Sequence, residues 1–271
     1  MKYTSLLAFI CSMILSYIGA PMIMDMLIKG KVLASNYKND EIPICMGLLF
    51  VFVQFITLSI IMTIDRFNDK NIMAYLVTFI MMGLVGLIDD LIGDKKIKGF
   101  KGHIKSFFRG NLTTGGMKAG VGFLVALFAS SILTDNLIEI IINVFVIALF
   151  TNLINLFDLR PGRSIKVFIL LSIIMLFTSI GDNYNFILFS FLGIIFVYLP
   201  LDLKAKAMMG DIGSNVMGLT LGVYCALTHD IIIKSIYLFI LAIIHILAER
   251  VSFSKLIENN KLLKFLDNIG R

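Results

Sequence analysis

Apolar positions run almost unbroken along this chain, broken at regular intervals by short polar stretches. A membrane-spanning helix needs ~20 mostly apolar residues. Runs of about that length occur at 4–24, 42–63, 71–88, 114–133, 137–157, 165–180, 184–199, 211–228 and 230–248. The pattern predicts an all-α fold, a polytopic integral membrane bundle of about nine transmembrane helices. No stretch remains for a separate soluble domain, so residues 1–271 read as one membrane domain. The first run has only Lys2 before it and no small-residue cleavage site, which favours a helix over a removable signal.

Composition agrees with the pattern: 58% of residues are hydrophobic and the mean hydropathy is +0.93. Charge placement then orients the bundle. Residues 25–41, 89–113, 158–166, 200–210 and 249–271 hold 19 of the 24 Lys and Arg. The positive-inside rule puts these segments in the cytoplasm and the N-terminus outside, in a multi-pass protein of the cell membrane with a cytoplasmic C-terminus. The net charge of +6 thus reflects orientation, membrane lipids and anionic ligands. No nucleic-acid module accompanies it. Cys11, Cys45 and Cys225 sit in apolar runs without metal-ligand spacing and read as packing residues.

Chemistry concentrates where apolar runs meet the basic side. Asp89 and Asp90 end one run, and adjacent carboxylates on a helix point about 100° apart. Two hard oxygen donors at a membrane edge suit Mg²⁺, which takes one or two carboxylates plus water and substrate phosphate. Asp94 and the basic run Lys95, Lys96, Lys98, Lys101, Lys105 and Arg109 follow, fitting anionic headgroups as well as substrate. Lys118 opens the next helix, where it could meet a phosphate. Asn152, Asn155 and Asp158, spaced i, i+3, i+6, fall within an arc of roughly 120° and would face a common centre. Asp211 stands between Gly210 and Gly213-Ser214 at the start of another run. Free N–H groups there favour an anion, and a carboxylate beside a phosphate reads as Mg²⁺ between Asp211 and a diphosphate. Pro43 and Gly47 fit a helix start with close backbone approach.

These motifs, in this order, resemble those of the polyprenyl-phosphate N-acetylhexosamine-1-phosphate transferases. Ile42-Pro43 through Gly47 is similar to that family's first-loop Pro-Gly-Gly motif, with Met46 replacing one glycine. Asp89-Asp90 resembles its paired aspartates, and Lys118 its phosphate lysine. Asn152-Leu-Ile-Asn155-Leu-Phe-Asp158 resembles its Asn-x-x-Asn-x-x-Asp-Gly-x-Asp-Gly element. Met209-Gly210-Asp211-Ile212-Gly213-Ser214 is close to its Met-Gly-Asp-x-Gly-Ser signature, and the resemblance spans roughly 36–222. It implies transfer of a sugar 1-phosphate from a UDP-sugar to a polyprenyl phosphate such as undecaprenyl phosphate, with release of UMP, in cell-wall or surface-polysaccharide synthesis. It implies Mg²⁺ held chiefly by Asp211 with Asn155, catalytic roles for Asp89, Asp90, Asp158 and Asp211, and substrate contacts from Lys118, Asn152, Asn155, Gly210, Gly213 and Ser214. A homodimer is left open.

Two departures stand out. After Asp158 the chain reads Leu159-Arg160-Pro161-Gly162-Arg163, so the family's next aspartate is absent and two arginines arrive. Arg160 and Arg163 could grip the diphosphate, since guanidinium suits phosphate, or serve as positive-inside anchors. The family's histidine-rich loop after the ninth helix is also missing, and His245 reads as a helix-packing residue. The competing readings are a degenerate relative that binds lipid carrier or partner proteins, an intramembrane prenyltransferase, and a transporter, which lacks internal repeats here.

Overall fold

The computed structural model of the protein describes residues 3–64, 69–93, 106, 110–111, 113–181 and 183–271. Asp94 and the basic run from Lys95 to Arg109 lie outside the described residues. Every apolar run is a helix: α1 (Thr4–Lys29), α2 (Gly47–Ile64), α3 (Lys70–Ile92), α4 (Thr114–Leu133), α5 (Leu137–Phe157), α6 (Arg163–Thr178), α7 (Asn185–Leu203), α8 (Gly210–Thr228) and α9 (Ile231–Arg250). Two short helices follow, α10 (Phe253–Asn259) and α11 (Lys261–Asn268).

Seven of the described helices are long and apolar enough to cross a membrane. The two expected spans outside that set are α6, with 16 residues, and α8, diluted by Asp211, Ser214, Asn215 and Thr220. The reason for α8 is its place at the centre of the bundle. Its residues from Ile212 through Ala226 are buried, wrapped by α2, α3, α5, α6 and α7, so it meets protein rather than lipid. A helix buried on all faces can carry polar groups that a lipid-facing one cannot.

Small residues let α8 be approached this closely. A Cβ on Gly86 of α3 would lie 2.6 Å from the backbone of Asp211 and Ile212, and one on Gly218 of α8 would lie 2.4 Å from the Phe150 carbonyl of α5. Helices in membranes associate through such backbone proximity and through buried hydrogen bonds. The bonds are present as well. Gln54 of α2 donates to the Tyr75 hydroxyl of α3 and the Ile187 carbonyl of α7, and accepts from Ser190; Tyr75 in turn meets Thr220 of α8 at 2.9 Å.

The helices alternate, so their connections gather at two ends. At one end a short hairpin, β1 (Leu33–Ser35) against β2 (Glu41–Pro43), is sewn to the α7–α8 connection. Met208 N–H donates to Pro43, and Met46 and Gly47 donate to Met208 and Met209. Two three-residue strands carry too little alternation to be read from sequence, and they leave the fold all-α. At the other end Tyr184 donates to Asp69, His229 contacts Thr178 and Thr228, and the buried Lys234 pairs with Glu139 at 2.6 Å. His245 lies on α9, with Nδ1 at 2.8 Å from the Leu241 carbonyl one turn earlier, as a packing histidine would.

A candidate active site at the head of α8

α3 ends and α8 begins at the hairpin end of the bundle, and the Gly86 contact brings the two helix ends together. Their carboxylates then divide. Asp90 accepts from the backbone N–H of Asp211 at 2.8 Å and of Ile212 at 3.2 Å, capping α8. The helix terminus expected to receive a substrate anion is therefore filled by a carboxylate of the protein itself, where the helix dipole favours it. Gly210 makes room: its φ is +68°, and a Cβ there would lie 2.2 Å from Asp90. Cys45, read from sequence as packing, is fully buried and close enough to Asp90 to feel its charge. Burial, with the Asp90 charge adding, pushes that thiol up to about 12, so it stays protonated.

Asp211 is the centre of the cluster. Lys118 Nζ lies 2.9 Å from Asp211 Oδ2. With its amide oriented to suit its neighbours, Asn155 donates to Asp211 Oδ1 at 3.0 Å and to Ser214 at 3.2 Å, and accepts from Lys118 at 3.2 Å. The Asp89 carboxyl lies in hydrogen-bonding reach of the Asp211 carboxyl. Four residues from α3, α4, α5 and α8 thus converge, as the separate polar breaks in the sequence implied.

Other expected members are placed differently. Asn152 is exposed on α5. Asp158 leaves the expected arc because α5 ends at Phe157; as the C-cap it turns to accept from Ser164 at 2.9 Å. Burial, then the nearby Asp202 charge, pushes Asp158 up to about 7. Gly213 packs against Met209 and Ser214 is fully buried beside Asn155, so both shape the head of α8 from within.

The two arginines separate. Arg163 is buried, forms a bidentate pair with Asp267 at 2.8 and 2.9 Å, and donates to Ser254. Its donors are engaged by the C-terminal helices, and the geometry supports a structural tie rather than a diphosphate grip. Arg160 is more open, over the Tyr37 ring and 3.7 Å from Glu258. With Tyr37, Asp158, Asp202, Met209 and Gly210 it lines a cavity of about 160 Å³ beside the head of α8.

The family model for glycosyl transferase family 4 matches residues 72–229, more than half of the chain. The chain belongs to glycosyl transferase family 4. The matched segment runs from α3 through the end of α8 and carries Asp89, Asp90, Lys118, Asn155, Asp158 and Asp211. The expected resemblance thus holds at the level of the family, whose members in general are polyprenyl-phosphate sugar-1-phosphate transferases. α1, the hairpin, α2 and α9–α11 lie outside the match. No curated protein matches the chain.

Proposed function

We propose that this family 4 protein transfers a sugar 1-phosphate from a UDP-sugar to a polyprenyl phosphate in a Mg²⁺-dependent reaction at the cytoplasmic face. The observation that carries this reading is the contact between the Asp89 and Asp211 carboxyls, with Lys118 and Asn155 fixing Asp211. Two carboxylates this close repel unless a proton or cation lies between them. Among the described residues no group of three or more His, Cys, Asp or Glu could hold a metal. The pair of carboxylates, Asp89 and Asp211, suits Mg²⁺ all the same, since that ion takes one or two carboxylates and completes its shell with water and substrate phosphates. Asp211 and Asp89 would hold the ion, with the Asn155 amide beside them. When bound, it supplies positive charge against the diphosphate.

The chain's own residues do the positioning. A polyprenyl phosphate oxygen attacks the β-phosphorus of the UDP-sugar; the bond from that phosphorus to the bridging oxygen breaks, and UMP leaves. Phosphoryl transfer asks mainly for alignment and charge stabilisation. Lys118, at 2.9 Å from Asp211 and at the start of α4, would meet a phosphate oxygen of a substrate bound beside Asp211. Asp90 holds α3 to α8 through two backbone N–H groups and keeps Asp211 facing Asp89. Asp89 is then the carboxylate placed to take a proton from the lipid phosphate or to position it.

The test is UMP release by the purified protein in detergent, with polyprenyl phosphate, Mg²⁺ and a panel of UDP-sugars. Asp211→Asn keeps the size and removes the charge, so turnover should fall by orders of magnitude while the protein remains folded. Release at the wild-type rate from Asp211→Asn at limiting Mg²⁺ defeats the metal assignment. No release from wild type with any sugar favours the non-catalytic reading. The face is tested separately: in intact cells, cysteine at Asn183 should react with an impermeant reagent and cysteine at Lys204 should not.

A further inference from the structure

α10 and α11 follow α9 at the hairpin end of the bundle and carry three distinct faces. In α11, Leu263 and Asp267 turn toward the bundle, while Lys261, Lys264 and Asn268 are exposed. Leu262, Phe265 and Leu266 fall within an arc of roughly 100° and are exposed too, Leu262 and Phe265 at 66%. This apolar stripe continues a lipid-facing surface. On α9 only Lys234 and Leu241 are buried, and its exposed Ile246 and Leu247 lead through its C-cap Val251 and Leu256 of α10 to Leu262. Arg250, Lys255, Lys261 and Lys264 are exposed on the same segment of chain.

The pair is also strapped to one turn of the site. Asp267 holds Arg163, Lys166 donates to the carbonyls of Leu266 and Asp267, and Arg271 donates to the Pro161 carbonyl. Phe253 stacks on Phe157 with ring centroids 5.2 Å apart. Every one of these ties lands on residues 157–166, the segment that carries Asp158 and Arg160.

We propose that α10 and α11 form a clasp that docks on an anionic lipid surface and thereby holds the turn from Phe157 to Ser164 in place. An amphipathic helix with a narrow apolar stripe and lysines beside it lies in the membrane interface with the stripe among the acyl chains. Its lysines gain from anionic headgroups, each contributing a factor of about five to docking. Continuity with the outer surface of α9 and the basic rim select lipid as the occupant, ahead of a second copy whose rim would carry the same charge.

The test uses the full chain in nanodiscs of phosphatidylcholine, alone or mixed with phosphatidylglycerol. A bimane label goes on Phe265→Cys, or on Leu262→Cys if the first does not fold, in a Cys11→Ser background; Cys45 and Cys225 are buried. A nitroxide-bearing lipid should quench this label several-fold more than aqueous iodide, whereas Asn268→Cys should show the reverse. Adding phosphatidylglycerol should deepen the lipid quenching and slow amide exchange over residues 157–164 several-fold. Lys261→Gln with Lys264→Gln should abolish both responses to phosphatidylglycerol. Dominant iodide quenching at position 265 overturns the docking. So does shielding from both quenchers that arises only in discs holding two copies, which would assign the stripe to a second chain. Unchanged exchange over 157–164 overturns the link to the turn.

Discussion

Asp89 and Asp90 are neighbours in sequence with different partners in space. Asp90 spends both oxygens on α8, while Asp89 meets Asp211. Replacing each by Asn should separate structure from chemistry. An amide at 90 faces N–H groups with a donor of its own, which should lower stability by about 1–3 kcal/mol. Asp89→Asn should leave the melting temperature in detergent near wild type and remove turnover. The opposite pattern would reverse these assignments. Asp158 offers a second check. Its carboxyl is raised from 3.8 to about 7 by burial, so the folded state binds a proton that the unfolded chain releases. Stability from this group is therefore present below the unfolded value and is lost as pH rises toward about 7. Asp158→Asn should flatten the fall in melting temperature across that window. An unchanged slope would show that Asp158 is charged in the folded protein throughout.

At the scale of elements, close helix approach carries the fold, and the glycines do not weigh equally. Gly218→Leu drives a side chain into the α5 backbone, whereas a Cβ at Gly120 of α4 meets nothing within 4 Å. The first should cost 1–3 kcal/mol or more, roughly the penalty of overpacking, and reduce the yield of folded protein by size exclusion. Gly120→Ala should have no such effect. This difference also marks what a sequence can disclose. The nine longer helices among the described residues were legible because each apolar run is long enough to declare itself, and Asp211, Lys118 and Asn155 because each interrupts such a run at its edge. Cys45 was hidden, since a lone thiol in an apolar stretch signals nothing until α3 brings Asp90 to it. Arg163 was misleading for the same reason. Its partner Asp267 lies 104 residues away, and a basic residue after Asp158 reads locally as a ligand for phosphate. The hairpin was too short to show, and the central position of α8 emerges only once its neighbours are placed.

Across the whole molecule, one end gathers the acidic cluster, the hairpin and the C-terminal clasp, and the other gathers uncatalytic ties such as Lys234 with Glu139. The enclosure of α8 has a consequence for how such a molecule is made. A segment bearing Asp211, Ser214 and Thr220 is a poor solute for lipid, because each of these polar groups must find a partner there. Its partners, Asp90, Lys118, Asn155 and Tyr75, all precede it in the chain. During synthesis α8 should therefore leave the translocon into a cradle already assembled from α2 to α7, not into bare bilayer. Placed alone behind a leader sequence, α8 should pass through the membrane more often than it lodges, while α9 should lodge, as glycosylation of a downstream acceptor would report. Equal retention of both would mean that α8 needs no cradle. The order of helices along this chain is, on this view, also the order in which the membrane can accept them.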